Sequence, residues 1–142
     1  MVRPLRSLGR KTEPRTVLAH GCFDVLHLGH KRHLEEARGL GDRLVVSITP
    51  DHLVNKGPGR PVFPAEKRRA LLMELRCVDM VLLADNAEHA IRMVRPHIYC
   101  KGREYAGNLP EEALVREFGG HVVYTDGPVH SSTALVPLLE AA

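Results

Sequence analysis

The ten residues at 21–30, GCFDVLHLGH, follow the apolar run Thr16-Val17-Leu18-Ala19-His20 and precede Leu34, Ala37 and Leu40, which recur on one helical face. A short apolar run, a glycine-bearing turn and an amphipathic segment together read as one strand-to-helix unit. Two histidines, His27 and His30, stand three apart where that helix begins, so both rings reach one side of its amino end. Gly21 and Gly29 leave room at the same turn, where a β-carbon would keep backbone and ligand apart.

The unit recurs along the chain. Further strands are expected at 43–48, 80–84, 97–100 and 121–124, in addition to 16–20, all short and rich in Val, Leu or Ile. The first helix is expected to stop at Gly41. Leu71, Leu72 and Leu75 mark a second helix starting at Pro64, a residue suited to a helix start. A third carries Ala87, Ile91 and Val94, with Asp85 as its expected cap and Glu88 three places on. Leu114, Val115 and Phe118 follow Pro110 and end at Gly119-Gly120. A last segment at 132–139 is expected to be a short or kinked helix, because Pro137 removes an internal hydrogen bond. Strands alternating with helices imply parallel strands and right-handed crossovers, hence an α/β fold with a five-stranded, doubly wound parallel sheet and helices on both faces.

Composition narrows the function classes. The chain has 142 residues and a formal charge of +3, and reads as one domain with a real core. Five of its basic residues (Arg3, Arg6, Arg10, Lys11 and Arg15) precede Thr16 against one acid, Glu13. Beyond Thr16, fifteen basic and sixteen acidic residues balance, so the basicity belongs to an arm at 1–15 and the domain to 16–142. With three Phe, three Tyr and no Trp, no stacking ladder for single-stranded bases is present, and nucleic-acid binding is unsupported. Cys22, Cys77 and Cys100 form no CxxC pair, which points away from a disulfide framework or zinc knuckle and toward a reducing compartment. No apolar run approaches membrane-spanning length, so a cytoplasmic protein without membrane contact is expected.

Open parallel sheets bind ligands outside the carboxyl ends of their strands, where the strand order reverses. The chemically loaded stretches all fall on that edge: GCFDVLHLGH after the first strand, TPDHLVNKGPGRP after the second, KGREY after the fourth and TDGPVHSST after the fifth.

Together these stretches resemble the nucleotidyltransferase superfamily marked by HxGH, here His27-Leu28-Gly29-His30 within GxFDxxHxGH. Within it they are most similar to the adenylyltransferase domain of ADP-heptose synthesis. That similarity lies in the GCFD start, Lys56-Gly57 with Arg60-Pro61-Val62, Glu66 and Arg68, the Lys101-Gly102 turn with Glu104-Tyr105, and the late Ser131-Ser132-Thr133. The resemblance implies a Rossmann-like fold and transfer of a nucleoside monophosphate to a phosphorylated sugar or polyol. ATP with heptose 1-phosphate leads, and a CTP-dependent enzyme acting on glycerol 3-phosphate or a related alcohol phosphate is the alternative. A nucleotide-sensing module without turnover is the alternative from another class.

In such a transfer an acceptor phosphate oxygen attacks the α-phosphorus and pyrophosphate leaves, so positioning and charge stabilisation matter more than a protein nucleophile. The resemblance makes His27, His30, Lys56 and Arg68 the catalytic set. His27 and His30 serve as phosphate donors at a helix mouth, Lys56 as a mobile charge over the triphosphate and Arg68 as a phosphate anchor. It assigns nucleotide binding to Gly21, Cys22, Phe23, Asp24, Gly29, Lys101, Gly102, Ser131, Ser132 and Thr133. The resemblance also places Asp24 by the metal or substrate-phosphate side, where it orders the turn. Mg²⁺ is expected through the nucleotide phosphates rather than through a protein metal site, and a homodimer is implied.

Plainer readings compete at several positions. His27 and His30 with Cys22 would make a metal pair, but no second Cys/His group has zinc spacing. Asp24 and the late Ser/Thr run would serve as caps without any ligand. Lys56 and Lys101 would serve as ordinary loop lysines, and Arg68 would belong to a solvated helix face with Lys67 and Arg69. The remaining histidines, His20 and His33 among them, read as structural or surface residues. Glu104 replaces the family's usual Asp, Arg103 a small residue, and Lys56 stands alone where some relatives carry two loop lysines.

Overall fold

The computed structural model describes residues 13–126. Five parallel strands, β1 (Thr16–Gly21), β2 (Arg43–Ile48), β3 (Met80–Leu83), β4 (Ile98–Gly102) and β5 (His121–Thr125), form one sheet in the order β3-β2-β1-β4-β5. Four helices connect them: α1 (Leu28–Arg38), α2 (Ala65–Met73), α3 (Ala87–Val94) and α4 (Glu112–Glu117). The order reverses between β1 and β4, which places the ligand crevice of a doubly wound sheet at the end of β1. Most of the basic arm and the expected helix at 132–139 lie outside the described residues. No helix among those residues is long and apolar enough to cross a membrane.

The central strands are apolar on both sides because both of their faces are covered. Val17 and Ala19 of β1 join Leu44, Val46 and Ile48 of β2 under Leu34 and Ala37 of α1 and Leu72 of α2. The intervening residues, Leu18, Val45 and Tyr99, pack on the opposite face with Ala90 and Ile91 of α3 and Val115 of α4. The strict alternation assigns each strand residue to one of two cores.

Several boundaries differ from the sequence expectation, each for an identifiable reason. β1, β4 and β5 run further, to Gly21, Gly102 and Thr125, because the parallel ladder pairs Gly21 with Ile48 and Gly102 with Thr125. His97 stands just before β4, with its ring Nδ1 accepting the Thr16 amide at 3.0 Å. Asn86, not Asp85, caps α3: its side chain accepts from the His89 amide at 2.8 Å, while the Asp85 amide donates to the His89 ring. Leu71 is exposed, and α2 buries Arg68 and Leu72, one helical turn apart, instead. Pro64 does cap that helix, and Gly119, at φ +85°, follows α4.

Gly41 does not end α1, which stops at Gly39 in ordinary right-handed geometry, φ −69°. A β-carbon on Gly41 would lie 2.8 Å from the Arg15 carbonyl oxygen, so its role is close approach between the α1–β2 turn and the start of β1. Gly41→Ala is therefore expected to lower stability by about 1–3 kcal/mol, as overpacking does. Gly39→Ala, whose conformation alanine tolerates, should be neutral or stabilising. Paired chemical denaturation curves of the two variants test the assignment.

Candidate active site

The turn after β1 carries a non-glycine residue in the left-handed region, Phe23 at φ +50°. The conformation folds its ring back over Gly21, where a β-carbon would meet the ring at 2.9 Å. The same ring stands edge-on to His30, with centroids 5.3 Å apart. Gly21 thus permits the turn, and the turn supports the histidine.

Asp24 is fully buried and accepts three hydrogen bonds: Arg60 Nε at 2.6 Å, the Val62 amide at 2.7 Å and the Phe63 amide at 2.9 Å. Burial pushes its carboxyl pKa up, but the Phe63 and Val62 amides and the Arg60 guanidinium together outweigh that and hold it below the ordinary carboxylate value. Desolvating a carboxylate costs several kcal/mol. Charge-assisted bonds at roughly 1.5–3 kcal/mol each are sufficient to offset it. Asp24 therefore ties the β1–α1 turn to the loop after β2.

Arg68 reinforces that tie from beneath. It is fully buried, and its guanidinium donates to the Phe63 carbonyl at 3.0 Å, the Cys22 carbonyl at 2.9 Å and Asp51 Oδ1 at 2.6 Å. The solvated-face reading of Arg68 is thus overturned, and its donors are directed at protein oxygens rather than outward as a phosphate anchor would direct them. The reason is position: one turn before Leu72, it points under the β1–α1 turn, where only a cation with several donors can satisfy two carbonyls and a carboxylate.

His27 is the N-cap of α1, and the two histidines cap each other. The His30 amide donates to His27 Nδ1, and the His27 amide to His30 Nδ1, both at 3.4 Å. Their rings stack with centroids 3.8 Å apart and 19° between planes. An Nδ1 that accepts a backbone proton cannot carry its own, so each neutral ring bears its proton on Nε2. The cap thereby fixes the tautomer, with both Nε2–H groups as donors at the amino end of α1.

The other expected residues are distributed around this cap. Gly29 lies in the first turn of α1, and Lys56 is exposed in the loop before Arg60. Lys56 is close enough to Cys22 to pull the thiol's pKa down slightly, although burial dominates and raises it. Lys101 and Gly102 end β4, next to β1 across the reversal point. Lys101 Nζ approaches the His20 carbonyl at 3.4 Å and lies 4.3 Å over the Tyr105 ring. Ser131, Ser132 and Thr133 lie outside the described residues. Glu104 folds its carboxylate over Gly102, occupying the space a β-carbon there would need.

Sequence reading missed the partners: Arg60 for Asp24, Asp51 for Arg68, Ser47 for His20 and Thr125 for His33. Each joins segments far apart in sequence; Asp51, Arg60 and Thr125 stood in stretches already singled out, but nothing local in those stretches identifies the residue each one pairs with. Among the described residues no group of three His, Cys, Asp or Glu is arranged to hold a metal ion, and both Asp24 oxygens are committed to protein donors.

The cytidylyltransferase-like family profile matches residues 18–132. The chain belongs to this family. It is by that membership a nucleotidyltransferase. It is 47% identical over 128 residues to the bifunctional protein HldE of Streptomyces coelicolor, covering 84% of this chain and 27% of that protein. Against HldE of Methylococcus capsulatus the identity is 41% over 140 residues, covering 94% and 29%. The chain thus spans little more than a quarter of these relatives. A lipopolysaccharide core biosynthesis protein from Thermoplasma volcanium superposes with a TM-score of 0.70 at 30% identity, covering 82% of this chain and all of that one. A pantoate-beta-alanine ligase from Francisella tularensis, at 14% identity and TM-score 0.60, shares the fold over 87% of this chain and 63% of its own.

Replacing Asp24 by Ala removes the carboxylate that accepts from Arg60 Nε and from the Val62 and Phe63 amides and is expected to cost about 3–5 kcal/mol. The depressed carboxyl pKa adds a pH signature. Its stabilisation is complete above the unfolded-state value of about 4 and disappears as pH falls through the lower folded-state value. Asp24→Asn should therefore lower stability at neutral pH and flatten the loss below about pH 4. Thermal melts across an acid pH series measure both.

Proposed function

We propose that this chain transfers a nucleoside monophosphate from a nucleoside triphosphate to a phosphorylated sugar, with ATP and heptose 1-phosphate as the leading pair and ADP-heptose as product. The observation that carries the reading is the mutual histidine cap at the amino end of α1, which leaves Nε2 as the proton-bearing nitrogen of both rings beside the strand end where the order reverses. HldE relatives and the lipopolysaccharide core protein support the sugar side.

In the proposed reaction an ionised oxygen of the acceptor phosphate attacks the α-phosphorus. A new P–O bond forms, the bond between the α-phosphorus and its bridging oxygen breaks, and pyrophosphate departs with the electron pair. The attacking oxygen is already deprotonated, so no general base is required. The growing negative charge meets the Nε2–H groups of His27 and His30 and the free amides of the first helical turn. Lys56, on its exposed loop, adds charge over the triphosphate, and Lys101 with Gly102 borders the nucleotide on the side from which the acceptor phosphate approaches it. Arg68 contributes as a positioning residue, holding the Cys22 carbonyl beneath the turn. Ser131, Ser132 and Thr133 complete the nucleotide site in this proposal. Mg²⁺ arrives with the triphosphate as part of the substrate, since the donors for it are phosphate oxygens. A cytoplasmic homodimer belongs to the same proposal.

The preference for ATP over CTP rests on GCFD, Lys56-Gly57 with Arg60-Pro61-Val62, and Lys101-Gly102 with Glu104-Tyr105 taken together. Pyrophosphate release with each triphosphate, against heptose 1-phosphate and glycerol 3-phosphate, is expected to be greatest with ATP and heptose 1-phosphate. Turnover with CTP alone rejects the heptose reading. His30→Ala should reduce kcat by about 10²–10³, with its thermal melt showing whether the protein is folded; near-native turnover in the folded variant overturns the donor role.

A further inference from the structure

On the sheet face covered by α3 and α4, the ends of β1, β2 and β4 bring together a polar cluster. His20 and Ser47 are direct neighbours across the β1–β2 pair, with His20 Nδ1 2.7 Å from Ser47 Oγ. Ser47 is fully buried, so its hydroxyl has a fixed environment and in turn fixes the imidazole. Lys101 enters from β4 on the other side of β1, its ammonium beside the His20 carbonyl and over the Tyr105 ring. Lys101 is in no ion pair among the described residues; burial lowers its pKa, and the carboxylates of Glu111 and Glu104 nearby support its charge against that. A half-buried cation resting on a carbonyl and a ring face is a suitable receptor for an anionic group.

His20 offers a different chemistry beside it. Burial, aided by the Lys101 charge, holds its pKa down to about 4, so at neutral pH the ring carries no charge. Its Nδ1 is engaged by Ser47, and among the described residues Nε2 makes no hydrogen bond. Depending on the tautomer, Nε2 presents one donor or one acceptor. An alcohol hydroxyl answers either form. A phosphate oxygen answers only the donor form and gains no charge compensation from a neutral ring. An adjacent cation and neutral imidazole therefore match a molecule carrying both a phosphate and a hydroxyl.

We propose that His20, oriented by Ser47 and set beside Lys101, is a specificity-determining residue that reads a hydroxyl of the phosphorylated polyhydroxy acceptor. This rests on the nucleotidyl-transfer reading above and adds to it a residue that discriminates among acceptors. Ser47 is a positioning residue, acting only through the imidazole.

Calorimetric titrations of the full chain with heptose 1-phosphate, glucose 1-phosphate, glycerol 3-phosphate and inorganic phosphate test the proposal. His20→Phe keeps a ring but removes its polar atoms. It should weaken the preferred hydroxylated ester about tenfold, with the affinities for inorganic phosphate and ATP changed less than about twofold. Ser47→Ala should shift the same ester in the same direction by less. Equal weakening of inorganic phosphate, or no weakening of any ester in a variant with a native melt, overturns the assignment. So does failure of all three esters to bind the wild type more tightly than inorganic phosphate. Should His20→Phe fail to fold, the ring Cε1–H resonance of His20 in the wild type decides: it must shift with an ester and stay put with inorganic phosphate. Pyrophosphate release reports on the parent reading separately. His20-dependent ester binding without any release overturns nucleotidyl transfer and leaves the hydroxyl-reading role standing, whereas release that is indifferent to His20 does the reverse.

Discussion

The buried carboxylate of Asp24 is the contact on which the site geometry depends. It lies in the turn between the first strand and the first helix, yet all three of its donors come from residues 60–63, in the connection after the second strand. A charge this deeply buried is stable only when its lone pairs are answered. The requirement therefore fixes two loops relative to each other at the carboxyl edge of the sheet. Arg68 answers two carbonyls and the Asp51 carboxylate from below, so a buried anion and a buried cation enclose the turn that precedes His27.

What this enclosure supports is a small set of aligned donors. Phe23, held in left-handed geometry, places its ring between Gly21 and His30. His27 and His30 then satisfy each other's backbone amides and stack, which selects the tautomer that directs both N–H groups away from the cap. No single residue in this chain of contacts acts alone. The phosphate-facing chemistry is a consequence of a helix cap, and the cap of a buried ion cluster.

The site has two chemically distinct sides. Toward α1 lie the histidine cap, the helix amino end and the exposed Lys56 loop, all suited to polyphosphate charge. Toward α3 and α4 lie His20 with Ser47 and the Lys101–Tyr105 pair, where a neutral ring and a cation stand side by side. The division follows from the sheet: successive strand residues point to opposite faces, so the odd and even positions at the strand ends face different chemistry.

The α/β class, the five strands and the edge on which the chemistry gathers were legible in the sequence. They depend on local periodicity and on the residues that follow each strand, both of which are properties of short segments. The position of HxGH at the start of the first helix was legible for the same reason, whereas the mutual capping of His27 and His30 emerged only from the backbone geometry of that turn. Helix ends were less so: Asn86 and Gly39 displaced Asp85 and Gly41, because caps are selected by backbone geometry that neighbouring polar residues compete to satisfy. In sequence Arg68 reads as a phosphate anchor or as one of three charges on a solvated helix face, and Asp24 as a residue on the phosphate side or a plain turn cap. Only the tertiary structure decided that both are buried, because their partners, apart from the Phe63 carbonyl that Arg68 meets, lie 17 to 46 residues away, and burial with pairing across such distances depends on how the connections are folded over the sheet.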